Sequence, residues 1–95
     1  MVRQVHRSKF THPDGSIEEW VVWQVPRSPH QPEGYRYRLV YIRSQEDTPA
    51  VLYDNHHPKG HHKHIRGKQF PYDFVSLEKL YEDFEADVQK ENEGI

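Results

Sequence analysis

The sequence contains no cysteine. That excludes a disulfide framework and a thiolate zinc site, and removes any argument for an oxidising compartment. Long apolar runs are missing too. Met1 to Phe10 holds no apolar stretch of seven or more residues, and no segment approaches the ~18 apolar residues that span a bilayer. Neither an export signal nor a membrane segment is expected, and a cytoplasmic location is the default. Hydrophobic residues make up only 34% of the chain, against roughly 45% in soluble domains. A Gly-rich nucleotide loop, a paired-carboxylate glycosidase arrangement, zinc-finger spacing and a serine nucleophile elbow are all absent.

What is present bounds the fold. The 95 residues suit a single domain, 1–95, with one thin core that buries about 60 to 65% of the unfolded surface. Such a core leaves room for stabilisation by a partner, including a second copy in a homo-oligomer. Two Trp, six Tyr and four Phe compensate in part, because each brings on the order of 150–250 Å² of buryable area. The net charge of -2 hides a division at Ser76. Met1 to Val75 carries eleven basic and eight acidic residues, and Ser76 to Ile95 carries two basic and seven acidic. A basic body able to meet phosphates is thus followed by an acidic tail element.

His12-Pro13-Asp14-Gly15 is a strong turn signal, with Pro presetting φ, Asp bonding its own backbone and Gly taking the left-handed position. Strands should flank it. Ile17 to Val25 places Ile17, Val21, Trp23 and Val25 on one face and Trp20 and Val22 on the other, so both tryptophans are expected in the core. Three prolines between Pro26 and Gly34 mark an irregular connection. Tyr35 to Arg43 alternates Tyr35, Tyr37, Leu39 and Tyr41 against Arg36 and Arg38, which predicts a strand with one aromatic face and one face that begins basic. Ala50 to Asp54 reads as a short strand, and Gln69 to Phe74 as an edge or irregular extended piece because of Pro71. Ser76 can cap a helix whose stripe is Leu77, Leu80, Tyr81, Phe84 and Val88. The expected fold is α+β: an antiparallel sheet of about four to five strands with a C-terminal amphipathic helix packed on one face.

Chemistry concentrates between Tyr53 and Phe74, which hold five of the eight histidines and four of the lysines and arginines. Lys59 and Gly60 sit where a loop can bring backbone N–H groups to an anion, and Arg66 and Lys68 can supply charge-assisted bonds. Histidine takes and gives protons near neutral pH. RNA cleavage needs a base for the 2′-hydroxyl, an acid for the departing 5′-oxygen and fixed positive charge on the phosphate. In an extended segment His62 and His64 face one side and Lys63 the other. Asp54 can orient a histidine or complete a metal site. The competing chemistry is a zinc, copper or nickel site built from His57, His62 and His64, and spacing alone does not choose between them. Tyr72 can stack a base or bond a phosphate, or pack on the helix. Arg36 and Arg38 can extend a basic surface, although paired arginines on a strand are usually ordinary solvent-facing residues.

Arg36-Tyr37-Arg38-Leu39-Val40-Tyr41, Tyr53-Asp54-Asn55, His61-His62-Lys63-His64-Ile65 and Tyr72-Asp73-Phe74, followed by a terminal amphipathic helix, resemble the TumE-type toxins of toxin–antitoxin modules. The likeness covers most of the chain. It implies RNA cleavage that slows growth, a cognate antitoxin that covers the basic surface through acidic residues, and motif positions at Tyr53, Asp54, Asn55, His62, His64 and Tyr72, with His56, Lys59 and His61 in a variable loop. The resulting expectation is a metal-independent endoribonuclease: His62 and His64 trade protons, Asp54 orients a histidine, and Lys63, Arg66 and Lys68 hold phosphate with Lys59 and Tyr72 nearby. A non-catalytic nucleic-acid-binding or regulatory protein and a histidine-rich metal-binding module remain as alternatives.

Overall fold

The computed structural model describes residues 2–56 and 58–93. Six strands, β1 (Arg3–Thr11), β2 (Ile17–Gln24), β3 (Tyr35–Ile42), β4 (Val51–Asp54), β5 (His62–Ile65) and β6 (Lys68–Pro71), precede one helix, α1 (Leu77–Glu93). All six form one antiparallel sheet in sequence order, a meander in which every neighbour in space is a neighbour in the chain. No described helix is long and apolar enough to cross a membrane.

The turns follow their chemistry. Between β1 and β2 the His12 N–H donates to the Ser16 carbonyl (2.8 Å) and the Gly15 N–H to the His12 carbonyl (2.9 Å), while Asp14 Oδ1 accepts from the Ser16 N–H at 2.8 Å. Gly15 has φ +92°, which favours glycine; a Cβ there would come within 2.9 Å of Ser44 Oγ, a side-chain atom that would have to turn aside. Sequence reading expected four to five strands, and the sixth comes from the histidine-rich stretch itself. Ile65 and Lys68 are paired across a two-residue turn whose residues Arg66 (φ 53°) and Gly67 (φ 82°) both have positive φ. That is the geometry a tight hairpin demands, and it divides one polar segment into β5 and β6. Pro71 closes the edge strand β6, where its missing N–H costs no ladder bond.

Ser76 caps α1, with its Oγ accepting from the Lys79 N–H at 3.1 Å, as an N-cap does for the third helical residue. The helix buries Leu80, Phe84 and Val88 against Val22, Tyr37, Leu39, Tyr41, Ala50, Val51 and Tyr53. Three tyrosines in so small a core put three hydroxyls near it, and each finds a partner. Tyr41 donates to Asn92 Oδ1 (2.7 Å), Tyr53 to the Asp83 carbonyl (3.2 Å) and the Asp87 carboxylate, and Tyr37 bonds His61 Nδ1 (2.9 Å). No buried side-chain polar atom among the described residues lacks a partner. Trp20 packs in this layer against Tyr81 and Phe84. Trp23, expected in the core, does not. Neighbouring strand side chains alternate faces, and with α1 on the face of Trp20 and Val22, Trp23 lies half-buried on the opposite one.

Candidate functional site

The sheet register decides which residues of the histidine segment meet. Arg38, Asp54, His62 and Pro71 are successive partners across β3 to β6, and Val40, Leu52, His64 and Gln69 form the next row. Both rows share parity with Trp23 and Arg36, which pair across β2 and β3. Asp54, His62, His64, Arg36 and Arg38 therefore all belong to the face opposite α1.

Within that group, Asp54 and His62 form a buried pair. They are 8% and 5% exposed, with Asp54 Oδ1 2.9 Å from His62 Nε2. The other ring nitrogen, Nδ1, donates to the Gly60 carbonyl at 2.7 Å. With both nitrogens facing oxygens, His62 has none free for a substrate in this arrangement. His64 sits edge-on to it, ring centroids 5.1 Å apart and planes at 78°. It is half-buried, and its ring nitrogens have no bonding partner among the described residues. The two histidines thus divide into an inner one held by a carboxylate and an outer one turned to solvent.

His56 adds a third imidazole. Its Nδ1 is 3.9 Å from Asp54 Oδ2 and its Nε2 accepts from Arg36 Nη2 at 3.1 Å, so Asp54 stands between two histidines. Arg38 pairs in register with Asp54 and is exposed. Arg36, Arg38 and His56 are the members that spacing left out of the site. The signal was available in the alternation of Tyr35 to Ile42, where both arginines fall on the side opposite the aromatic face.

Of the remaining expected site residues, Lys63 and Tyr72 lie on the helix side, while Lys59 bonds Gln69 in the row of His64 and Arg66 lines a hollow with His64 and Leu52. Lys63 points to the helix, where Nζ bonds Asp87 Oδ2 at 2.9 Å and stands 5.5 Å from the centre of the Tyr53 ring. Tyr72 donates to Asp83 Oδ2 at 2.6 Å, and burial, then the bond to Asp83, raises its phenol well above the usual value. Arg66 pairs with Glu91 (2.6 Å) and Glu46 (3.4 Å). Lys59 bonds Gln69 Oε1 at 2.9 Å, and Lys68 is exposed on β6. The acidic helix thus takes Lys63, Arg66 stands at the margin between Glu91 and the hollow of His64, and Arg36 and Arg38 project from the opposite face.

The motif around Asp54 divides its labour. Tyr53 anchors the helix, and burial above all drives its phenol far up. Asn55, 1% exposed, prolongs the β3 ladder, accepting from the Tyr37 N–H (3.0 Å) and donating to the Tyr35 carbonyl (2.7 Å). His61 is structural as well. It is stacked on Phe74 at 4.9 Å, accepts from the Tyr37 hydroxyl and donates to Glu33 Oε1 (2.8 Å). Of the metal alternative, His57 lies outside the described residues, and among those described no group of three or more His, Asp or Glu is placed to hold a metal ion.

No curated protein and no solved structure matches the chain. A family model described as Toxin TumE does, over residues 3–92, a span that runs from the first strand to the last turn of α1 and takes in both faces of the sheet, and the chain accordingly belongs to the TumE toxin family.

Proposed function

We propose that the face opposite α1 cleaves RNA, with His64 as the proton-transferring group, Asp54 and His62 as the charged support behind it, and Arg36 and Arg38 as the phosphate holders. The observation that carries this reading is the pairing of an outer, unbonded imidazole with an inner one fixed by a carboxylate, 5.1 Å apart, on a face bearing two arginines. Cleavage requires no group beyond these and the RNA. The 2′-oxygen attacks the adjacent phosphorus as its proton passes to a His64 ring nitrogen, and the bond to the 5′-oxygen breaks as that oxygen takes the proton back from the His64 imidazolium. The products are a 2′,3′-cyclic phosphate and a free 5′-hydroxyl. Arginine forks match phosphate oxygens bidentately; Arg38, whose row adjoins that of His64, would stabilise the charge that builds on the phosphorane, and Arg36 would hold a phosphate further along the RNA. The antitoxin that the family implies would silence this reaction by covering the same face with acidic residues, since the acids of α1 are engaged on the other.

Replacement of His64 by Ala tests the reading. Expression of H64A should no longer arrest growth, and RNA cleavage by the purified protein should fall about 10²–10⁴-fold, the usual contribution of one acid–base group, with an unchanged melting temperature. A fully toxic H64A would refute it. The exposed arginines also suit a protein that binds nucleic acid without cutting it. That alternative predicts RNA that is retained by the wild type and recovered at full length.

A further inference from the structure

Beside the site lies a hollow of about 450 Å³ lined chiefly by Val21, Trp23, Val25, Arg36, Arg38 and His56. Its volume falls within the range of about 300–1,000 Å³ typical of small-molecule sites. We propose that it is a nucleobase subsite, in which Trp23 stacks an unpaired base of the RNA while Arg36 and Arg38 hold the neighbouring phosphates. This rests on the reading of the face as an RNA-cleaving surface and names the part of the substrate that the face grips.

Three observations converge on a base. First, the two tryptophans of β2 have opposite fates. Trp20 has ring partners at 5.0 and 5.6 Å and donates to Glu18 at 3.1 Å, whereas Trp23 has neither a ring partner nor a hydrogen bond among the described residues. An indole left half-buried between valines offers a flat apolar surface without a protein occupant. Second, its cross-strand partner is Arg36, and Arg38 follows two residues on with the same facing. Aromatic surface interleaved with cations is the arrangement that holds single-stranded nucleic acid, because every base has a face to stack and every linkage a phosphate to pair. Third, the register measures the reach. From Trp23 to His64 there are three strand spacings of about 4.8 Å and two rows of about 6.7 Å, a diagonal on the order of 20 Å. The stacked base would belong to a nucleotide a few positions from the scissile phosphate. Single-stranded RNA is the form required, since bases inside a duplex cannot leave their stack without cost.

The test uses the full chain carrying H64A, so that RNA stays intact, and a short fluorescent single-stranded oligoribonucleotide beside an abasic oligomer of equal length. Trp23→Ala should weaken binding of the oligoribonucleotide about 5- to 150-fold, which corresponds to about 1–3 kcal/mol for one stacked base. Trp23→Phe should keep most of the affinity, and both variants should bind the abasic oligomer as the parent does. Equal affinity of W23A and parent for the oligoribonucleotide, in a protein whose His64-bearing form cuts RNA, would overturn the subsite and leave the reading of the face intact. Failure of every form to bind RNA would overturn both. Weakened binding of the co-expressed antitoxin by W23A, with RNA affinity unchanged, would assign the hollow to the protein partner and also overturn it.

Discussion

The two faces of this sheet carry the same kinds of residue and use them differently. On the face under α1, Tyr37, Tyr53, His61, Lys63 and Tyr72 all find fixed partners, most of them acids of the helix or residues packed beside it. On the other, Arg38, Trp23 and His64 have no bonding partner among the described residues, and only the Asp54–His62 pair is buried and bound. Lys63 and His64 are adjacent in sequence, yet one fastens the helix and the other faces solvent. Residue type alone does not mark function here; parity along the strand does, because it decides whether a charge meets the helix acids or is left for a ligand.

If the covered face serves stability, damage there should unfold the protein, with activity lost only in proportion. Phe84→Ala should have the largest effect, about 3–5 kcal/mol by urea denaturation, comparable with the whole stability of a small domain. If the open face serves chemistry, Arg38→Ala should lower kcat/KM for RNA about 10- to 150-fold, the value of one charge-assisted bond of about 1.5–3 kcal/mol, while the urea midpoint stays in place. It should also flatten the salt dependence of RNA binding by about one unit of slope. Lys63→Ala sharpens the contrast from one residue away from His64. It should cost about 1–2 kcal/mol by stranding Asp87 beside Tyr53, yet leave cleavage by the folded fraction unchanged. An activity loss in K63A larger than its unfolding would break the comparison.

The smallest effect concerns two carboxyl groups on the covered side. Glu18 accepts from His12 (2.7 Å) and Trp20 (3.1 Å). Burial would raise it, but bonds from Glu85, His12 and Trp20 outweigh that and hold it below the usual value. Glu85 is pushed up to about 7, first by burial and then by its bond to Glu18 and that group's charge. Between the ordinary glutamate pKa and about 7 the folded state binds the extra proton, so stability should decline with rising pH across that window and level off above it. Glu85→Gln should remove this decline, gaining up to about 1 kcal/mol at pH 8 after allowance for solvent screening and nothing near pH 4. Thermal melts at the two pH values check it.

Much of this could be read along the chain because it is local. The Asp14–Gly15 turn, the Ser76 cap and the stripe from Leu77 to Val88 each depend on residues a few positions apart, and all three are present. The shared facing of His62 and His64 also follows from a separation of two. The division of β5 from β6 was harder to see, because it needed a positive φ at Arg66, a residue with no intrinsic preference for it. The placing of Lys63 and Tyr72 on the helix side depended on contacts with Asp87 and Asp83, 24 and 11 residues away.

By itself, then, the order of residues determined the alternating faces, the capped amphipathic helix, the charge division at Ser76 and the shared facing of His62 and His64. Only the tertiary structure decided which face the helix would cover. Once α1 buried the side bearing Tyr37, Leu39 and Tyr53, its acids neutralised the cations beneath it. Arg36, Arg38 and Trp23 were left on the other side, the same face as His64. That outcome lies in the pairing of elements distant in the chain, where burying the larger apolar surface outweighs any local preference of a single charged residue.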